Sequence, residues 1–138
     1  MNSLKPILLI ENNDDDAKDI ETNINDIHVT NVLERRSNID EAYEYLRDEQ
    51  NPKPCVILLD LNMPRMGAFE FIKTLKTDHI LKRIPIVILM SSETNGDVAR
   101  SSGLDIAGYI LKPFDYRQFI ETMKTLNIHL ALNSKEDK

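Results

Sequence analysis

Short aliphatic runs recur along the chain, and each stops abruptly at a polar position: Ile7–Ile10 before Glu11, residues 56–59 before Asp60, Ile86–Met90 before Ser91, and residues 109–111 before Lys112. A weaker run covers residues 29–33. Runs this short and continuous, rich in Ile, Leu and Val, predict strands buried on both faces, as in parallel sheets. The segments between them change period. Ile20, Ile24 and Ile27, then Ile39, Ala42, Tyr43 and Leu46, then Phe69, Ile72 and Leu75, and finally Phe119, Met123, Leu126 and Leu130 each gather apolar side chains on one helical face. Residues 95–102 make a poorer helix, with only Val98 and Ala99 to bury, placed where the alternation requires one.

Start signals agree with these divisions. Asn38-Ile39-Asp40-Glu41 has the form of a capping box, and Asp14, Asp15 and Asp16 put negative charge at the start of the first helix. Strand and helix alternate five times, which predicts an α/β fold: a doubly wound, five-stranded parallel sheet with five helices on its two faces. The whole chain, residues 1–138, reads as one domain with its core over about residues 5–130, without internal repeat or linker. Only residues 1–5 and the polar tail, residues 133–138, look loose.

Composition narrows the function classes. At 138 residues, with 41% apolar and 29% charged positions, the chain is long and aliphatic enough for a single sizeable core. A net charge of -6, relieved only by short basic pairs such as Arg35-Arg36 and Lys82-Arg83, argues against direct nucleic-acid binding. One cysteine, Cys55, excludes an internal disulfide and a thiolate metal cluster, and it reads as a small buried hydrophobe. The apolar stretches are too short to cross a bilayer and no signal-like start is present, so no membrane role and a cytoplasmic location are expected. His28, His79 and His129 lack metal-ligand spacing and are given no role.

In a doubly wound sheet, ligands gather at the carboxyl ends of the strands, where Glu11, Asp60, Ser91 and Lys112 fall. Two acids and an ammonium converging there make a shallow oxygen-ligand site facing a phosphate, which suits Mg2+ better than a closed protein cage would. A carboxylate can take a phosphoryl group as nucleophile, with cation and lysine neutralising the transferred oxygens. Asp60 is the candidate nucleophile. The plainer reading is that it is a polar residue closing a strand.

Four strings in register, "LLIENN", "LLDLNMPRM", "IPIVILMSS" and "GYILKPFD", resemble the receiver domain of two-component response regulators over about residues 5–126. The resemblance is closest to stand-alone receivers of the chemotaxis and phytochrome-linked kind. It implies a flavodoxin-like fold and a cytoplasmic phosphoacceptor signalling protein, not an enzyme beyond autophosphorylation and autodephosphorylation. Asp60 would accept a phosphoryl group from a histidine kinase or phosphotransfer protein. Glu11 matches the first acidic metal position, Asn62 the residue whose backbone carbonyl binds the metal, and Lys112 the lysine that contacts the phosphoryl group. Pro113 matches a proline whose preceding bond is commonly cis, and Tyr109 the aromatic switch. The signal would leave through the surface of the helix near residues 95–102, the last strand and the last helix toward a downstream protein target, and homodimerisation through the same elements stays open.

Three departures stand beside the matches. Asn12 occupies the place of the second acid, the direct metal ligand, so Mg2+ binding is expected to be weakened. Either Asp15 or Asp16 is a candidate replacement, although acids at a helix start are stabilising through the macrodipole alone. Met90 occupies the place of a hydroxyl residue that bonds the phosphoryl group; its plainer reading is core packing. A thioether has no proton to donate, and losing a charge-assisted hydrogen bond of roughly 1.5–3 kcal/mol would reduce the active population about ten- to a hundredfold. Ser91, one residue on, faces the other side if the strand persists. Gly67-Ala68 replaces an aspartate-glycine pair. Asn12 and Met90 favour a rival reading, a degenerate receiver acting as a phosphorylation-independent binding module. An aspartate-nucleophile phosphatase of the haloacid dehalogenase type would want an acid where Asn62 stands, and a flavin site would want a Ser-, Thr- and Gly-rich loop where "ENNDDD" stands.

Overall fold

The computed structural model describes residues 5–26, 31–61, 67–91, 103–126 and 128. Five parallel strands, β1 (Ile7–Ile10), β2 (Leu33–Arg36), β3 (Val56–Asp60), β4 (Ile86–Met90) and β5 (Gly108–Leu111), form one sheet in the order β2-β1-β3-β4-β5. Helices α1 (Asp14–Asp26), α2 (Ile39–Arg47), α3 (Ala68–Lys76) and α4 (Tyr116–Thr125), with a 3₁₀ turn at Leu81–Arg83, complete a flavodoxin-like α/β fold. The helix expected at residues 95–102 lies outside the described residues.

The pleat divides the core in two. Ile7, Leu9, Val56, Leu58, Val87, Leu89 and Ile110 pack under α1 and α4 with Ile20, Ile24, Phe119 and Met123. Leu8, Ile10, Ile57, Leu59, Ile86, Ile88 and Met90 pack under α2 and α3 with Leu46, Phe71, Ile72 and Leu75. Both sets are buried, which explains why β1, β3 and β4 read as unbroken apolar runs and not as alternations.

The second strand departs from the expected range. β2 shares only Leu33 with residues 29–33, and Val32 just before it is 58% exposed. As an edge strand it has one neighbour, its side chains are half-buried throughout, and its LERR sequence carries no apolar run to detect. The other edge, β5, is closed by a side chain: Gln118 of α4 accepts from Leu111 N–H at 3.3 Å and donates to Leu111 C=O at 3.4 Å. Gly108 lets α4 lie close to this strand, since a Cβ there would stand 3.2 Å from Thr122 Cγ2.

The predicted caps form with small shifts. Asn38 Oδ1 accepts from Glu41 N–H at 2.8 Å, while Glu41 Oε1 reaches Ser37 N–H at 3.3 Å, one residue before the cap. In α2 the buried positions are Ala42, Tyr45 and Leu46, with Tyr43 only half-buried. Tyr45 is kept inside because its hydroxyl donates to Pro52 C=O at 3.1 Å. Ile27 and Leu130 lie outside the described residues.

Leu59 is fully buried on the face under α2 and α3, one residue before Asp60. Leu59→Ala is expected to lower unfolding stability by about 2–5 kcal/mol, whereas Val32→Ala should stay within about 0.5 kcal/mol. Urea denaturation of the two variants beside wild type checks this.

Candidate functional site at the carboxyl ends of the strands

Three strand ends deliver one cluster. Glu11 follows β1, and its N–H still joins the ladder, donating to Arg36 C=O at 3.1 Å. Asp60 is the last residue of β3. Lys112 follows β5, with its N–H on Met90 C=O at 2.7 Å. Because alternate residues face opposite layers, Asp60, in register with Leu89, faces the α1 side of the sheet. The first turn of α1 adds Asp16.

Lys112 Nζ lies 3.1 Å from Asp60 Oδ2, 3.1 Å from Asp16 Oδ2 and 3.3 Å from Glu11 Oε1. Glu11 and Asp60 are 0% and 3% exposed, so these carboxylates are desolvated, and Lys112 supplies their compensation. Burial alone would lower the Lys112 pKa, but the charges and hydrogen bonds of Asp60, Asp16 and Glu11 outweigh it and hold the ammonium above its ordinary value. Glu11 is pushed up to about 8, first by burial and then by the neighbouring Asp60 carboxylate. Lys112 and the N–H of Asn13, 3.2 Å from Glu11 Oε2, act in the opposite direction.

One guanidinium holds the loop that carries these acids. Arg35 of β2 donates through Nε and Nη2 to Glu11 C=O at 3.0 and 2.8 Å, reaches Asn12 C=O at 3.3 Å, and pairs with Asp14 Oδ1 at 2.9 Å. Asn13 caps α1, its Oδ1 accepting from Asp16 N–H at 2.8 Å. Neither Arg35 nor Asn13 was singled out from the sequence as part of the site. An arginine in a polar edge strand carries no local mark, and its role depends on β2 lying beside β1.

Of the residues expected at the site, Glu11, Asp60 and Lys112 come together, and Asp16, weighed only as a replacement, joins them. Asn12 is exposed. Asn62 lies outside the described residues. Met90 is buried under α2 and α3, on the face opposite to Asp60, while Ser91, just past the strand, is exposed. Tyr109 is half-buried against the same layer as Met90. The Lys112-Pro113 bond is cis. Cys55 is half-buried, with burial raising its thiol pKa, as befits a packing residue.

The set fits a hard divalent cation. Single oxygens of Glu11, Asp16 and Asp60 all lie within 4.8 Å of one another, and Glu11 Oε1 is buried with no hydrogen-bond partner among the described residues. Three carboxylates facing one ammonium leave negative charge that Mg2+ would balance.

A family model described as the response regulator receiver domain matches residues 7–124. The chain belongs to this family. It is 34% identical over 125 residues to the response regulator Rcp1 of Synechocystis sp., covering 80% of this chain and 78% of Rcp1. Among solved structures it resembles the bacteriophytochrome response regulator AtBRR, with a TM-score of 0.87 and 31% identity over 96% of this chain and all of that one. It also resembles the phosphorylated cyanobacterial phytochrome response regulator RcpA, with a TM-score of 0.74 and 31% identity over 93% of this chain and 99% of that one. Rcp1 itself has been solved in an Mn(2+)-bound form, with a TM-score of 0.72 and 26% identity over 94% of this chain and 99% of that one. Receivers of this family are signalling proteins. No helix among the described residues is long and apolar enough to cross a membrane.

The raised pKa of Glu11 gives a signed expectation for the metal-free receiver. The folded value of about 8 lies above the ordinary carboxyl value of 4.5, so the folded state holds a proton that the unfolded state releases earlier. The stability this contributes is present at low pH and is lost as pH rises toward about 8. Thermal melts in chelator from about pH 5 to about pH 8 should show that decline, and Glu11→Gln should flatten it.

Proposed function

We propose that this receiver accepts a phosphoryl group on Asp60 from a histidine kinase or phosphotransfer protein, in a Mg2+-dependent transfer. The observation that carries the reading is the desolvated Asp60 carboxylate 3.1 Å from Lys112 Nζ at a rim shared with Glu11 and Asp16. An Asp60 oxygen attacks phosphorus, a new P–O bond forms, the P–N bond to the donor imidazole breaks, and the imidazole leaves with the bonding pair. Lys112 orients the acceptor carboxylate and stays beside the phosphoryl oxygens after transfer, where its positive charge matches theirs. Glu11 and Asp60 would hold the cation, with the carbonyl of Asn62 and the amide of Asn12 as further donors. When bound, Mg2+ neutralises charge on the transferred phosphoryl group. The phosphorylated RcpA and the Mn(2+)-bound Rcp1 support both halves of this reading by similarity.

Tyr109 is the aromatic switch in this proposal. Its ring, on the Met90 side of the sheet, carries the change to the surface of β5 and α4, where a downstream protein reads it. With Met90 buried among Leu61, Ile88 and other apolar side chains, the hydroxyl that would draw Tyr109 inward is missing at that position. That burial favours a second reading, in which the surface is recognised whether or not Asp60 is modified.

Intact-mass analysis after incubation with acetyl phosphate and Mg2+ decides between them. Wild type is expected to gain one phosphoryl group and Asp60→Ala none. An unmodified wild type, with another receiver labelled in parallel, would support the binding module. Met90→Thr is expected to strengthen the conformational response to labelling, read as a change in Tyr109 fluorescence or side-chain NMR shifts.

A further inference from the structure

We infer that Asp16 supplies the negative charge that Asn12 lacks, so that the divalent cation of this receiver is held from the first turn of α1 as well as from the strand ends. The inference rests on the cation-dependent function proposed above and concerns which residue completes the site.

The three neighbouring acids do not share one role. Asp14 is spent on Arg35 at 2.9 Å, and Asp14 and Asp15 line a groove between α1 and β2 with Lys18, Leu33 and Arg35. Asp16 alone of the three turns to the rim, where its Oδ2 lies 3.1 Å from Lys112 Nζ across 96 residues of sequence. Its orientation is built: Asn13 accepts from its N–H, and the next residue, Ala17, is buried against the sheet.

A separate observation points at a ligand. Glu11 Oε1 is wholly buried and has no hydrogen-bond partner among the described residues, with Lys112 Nζ an ion-pair neighbour at 3.3 Å. Buried polar atoms are almost always satisfied, so an oxygen left without a hydrogen bond among the described residues fits a ligand atom for a bound cation. Single oxygens of Glu11, Asp16 and Asp60 lie within 4.8 Å of one another, close enough for one small cation to meet all three. Asn12 keeps an amide oxygen but brings no charge and is exposed, so the three-acid count is restored one helical turn later. A role confined to the helix macrodipole would not need Asp16 in contact with Lys112, because Asp14 and Asp15 already place two charges in that first turn.

Titration calorimetry with Mg2+ on the full chain tests this in a cycle of wild type, Asp16→Asn, Asn12→Asp and the double variant, with Asp15→Asn as the neighbouring control. Asp16→Asn is expected to weaken Mg2+ binding about tenfold or more, and Asp15→Asn to leave it within about twofold. In the Asn12→Asp background the cost of Asp16→Asn should shrink to about threefold or less, because one acid then substitutes for the other. Equal fold losses in both backgrounds, or an Asp16→Asn affinity within about twofold of wild type, would overturn the role of Asp16 while leaving the cation site standing. A wild type that binds no Mg2+ would overturn both.

Discussion

The structure turns on one ammonium group set among three carboxylates. Acids brought this close repel one another and, once buried, lose the water that would screen them. Lys112 counters part of that, and the proton held by Glu11 counters more, so the cluster is tolerable without metal yet still short of positive charge. The scaffold has to supply the rest as rigidity. Parallel strands with both faces buried do this well, because the strand ends cannot drift apart without exposing the layers beneath α1 and α4 and beneath α2 and α3.

The same pleat separates chemistry from readout. Asp60 faces α1, whereas Met90 and Tyr109 belong to the opposite layer. In the switch proposed above, a change at the carboxylate would reach Tyr109 through the strand ends, with the residue ending β4 setting how strongly the two sides are coupled. With a thioether at that position the proposed coupling would lack a hydrogen-bond donor.

Much of this was legible before any coordinates. β1, β3, β4 and β5 were read from apolar runs because strands buried on both faces admit little else, and Glu11, Asp60 and Lys112 were read from where those runs stop. The strings shared with receivers turned a convergent trio of charges into a family. What stayed hidden depended on neighbours in space. Asp16 shared with Asp15 the reading of a candidate replacement ligand beside that of a helix-start acid, and only the turn of α1 beside Lys112 separates the two. Met90 read both as a missing hydroxyl and as a core side chain, and it is buried in the core.

The misplaced second strand has the same cause as the missed arginine. LERR is polar because β2 is an edge, and an edge strand beside the β1-α1 loop is where a long cationic side chain can bond Glu11 C=O, Asn12 C=O and Asp14 together. A more apolar residue at position 35 would have made the strand easier to recognise and left that loop, with its cluster of negative charge, without its tether. Weak strand patterning and a well-held acidic loop are thus one feature seen from two sides: β2 trades burial for the cation that keeps Glu11 and the start of α1 in place.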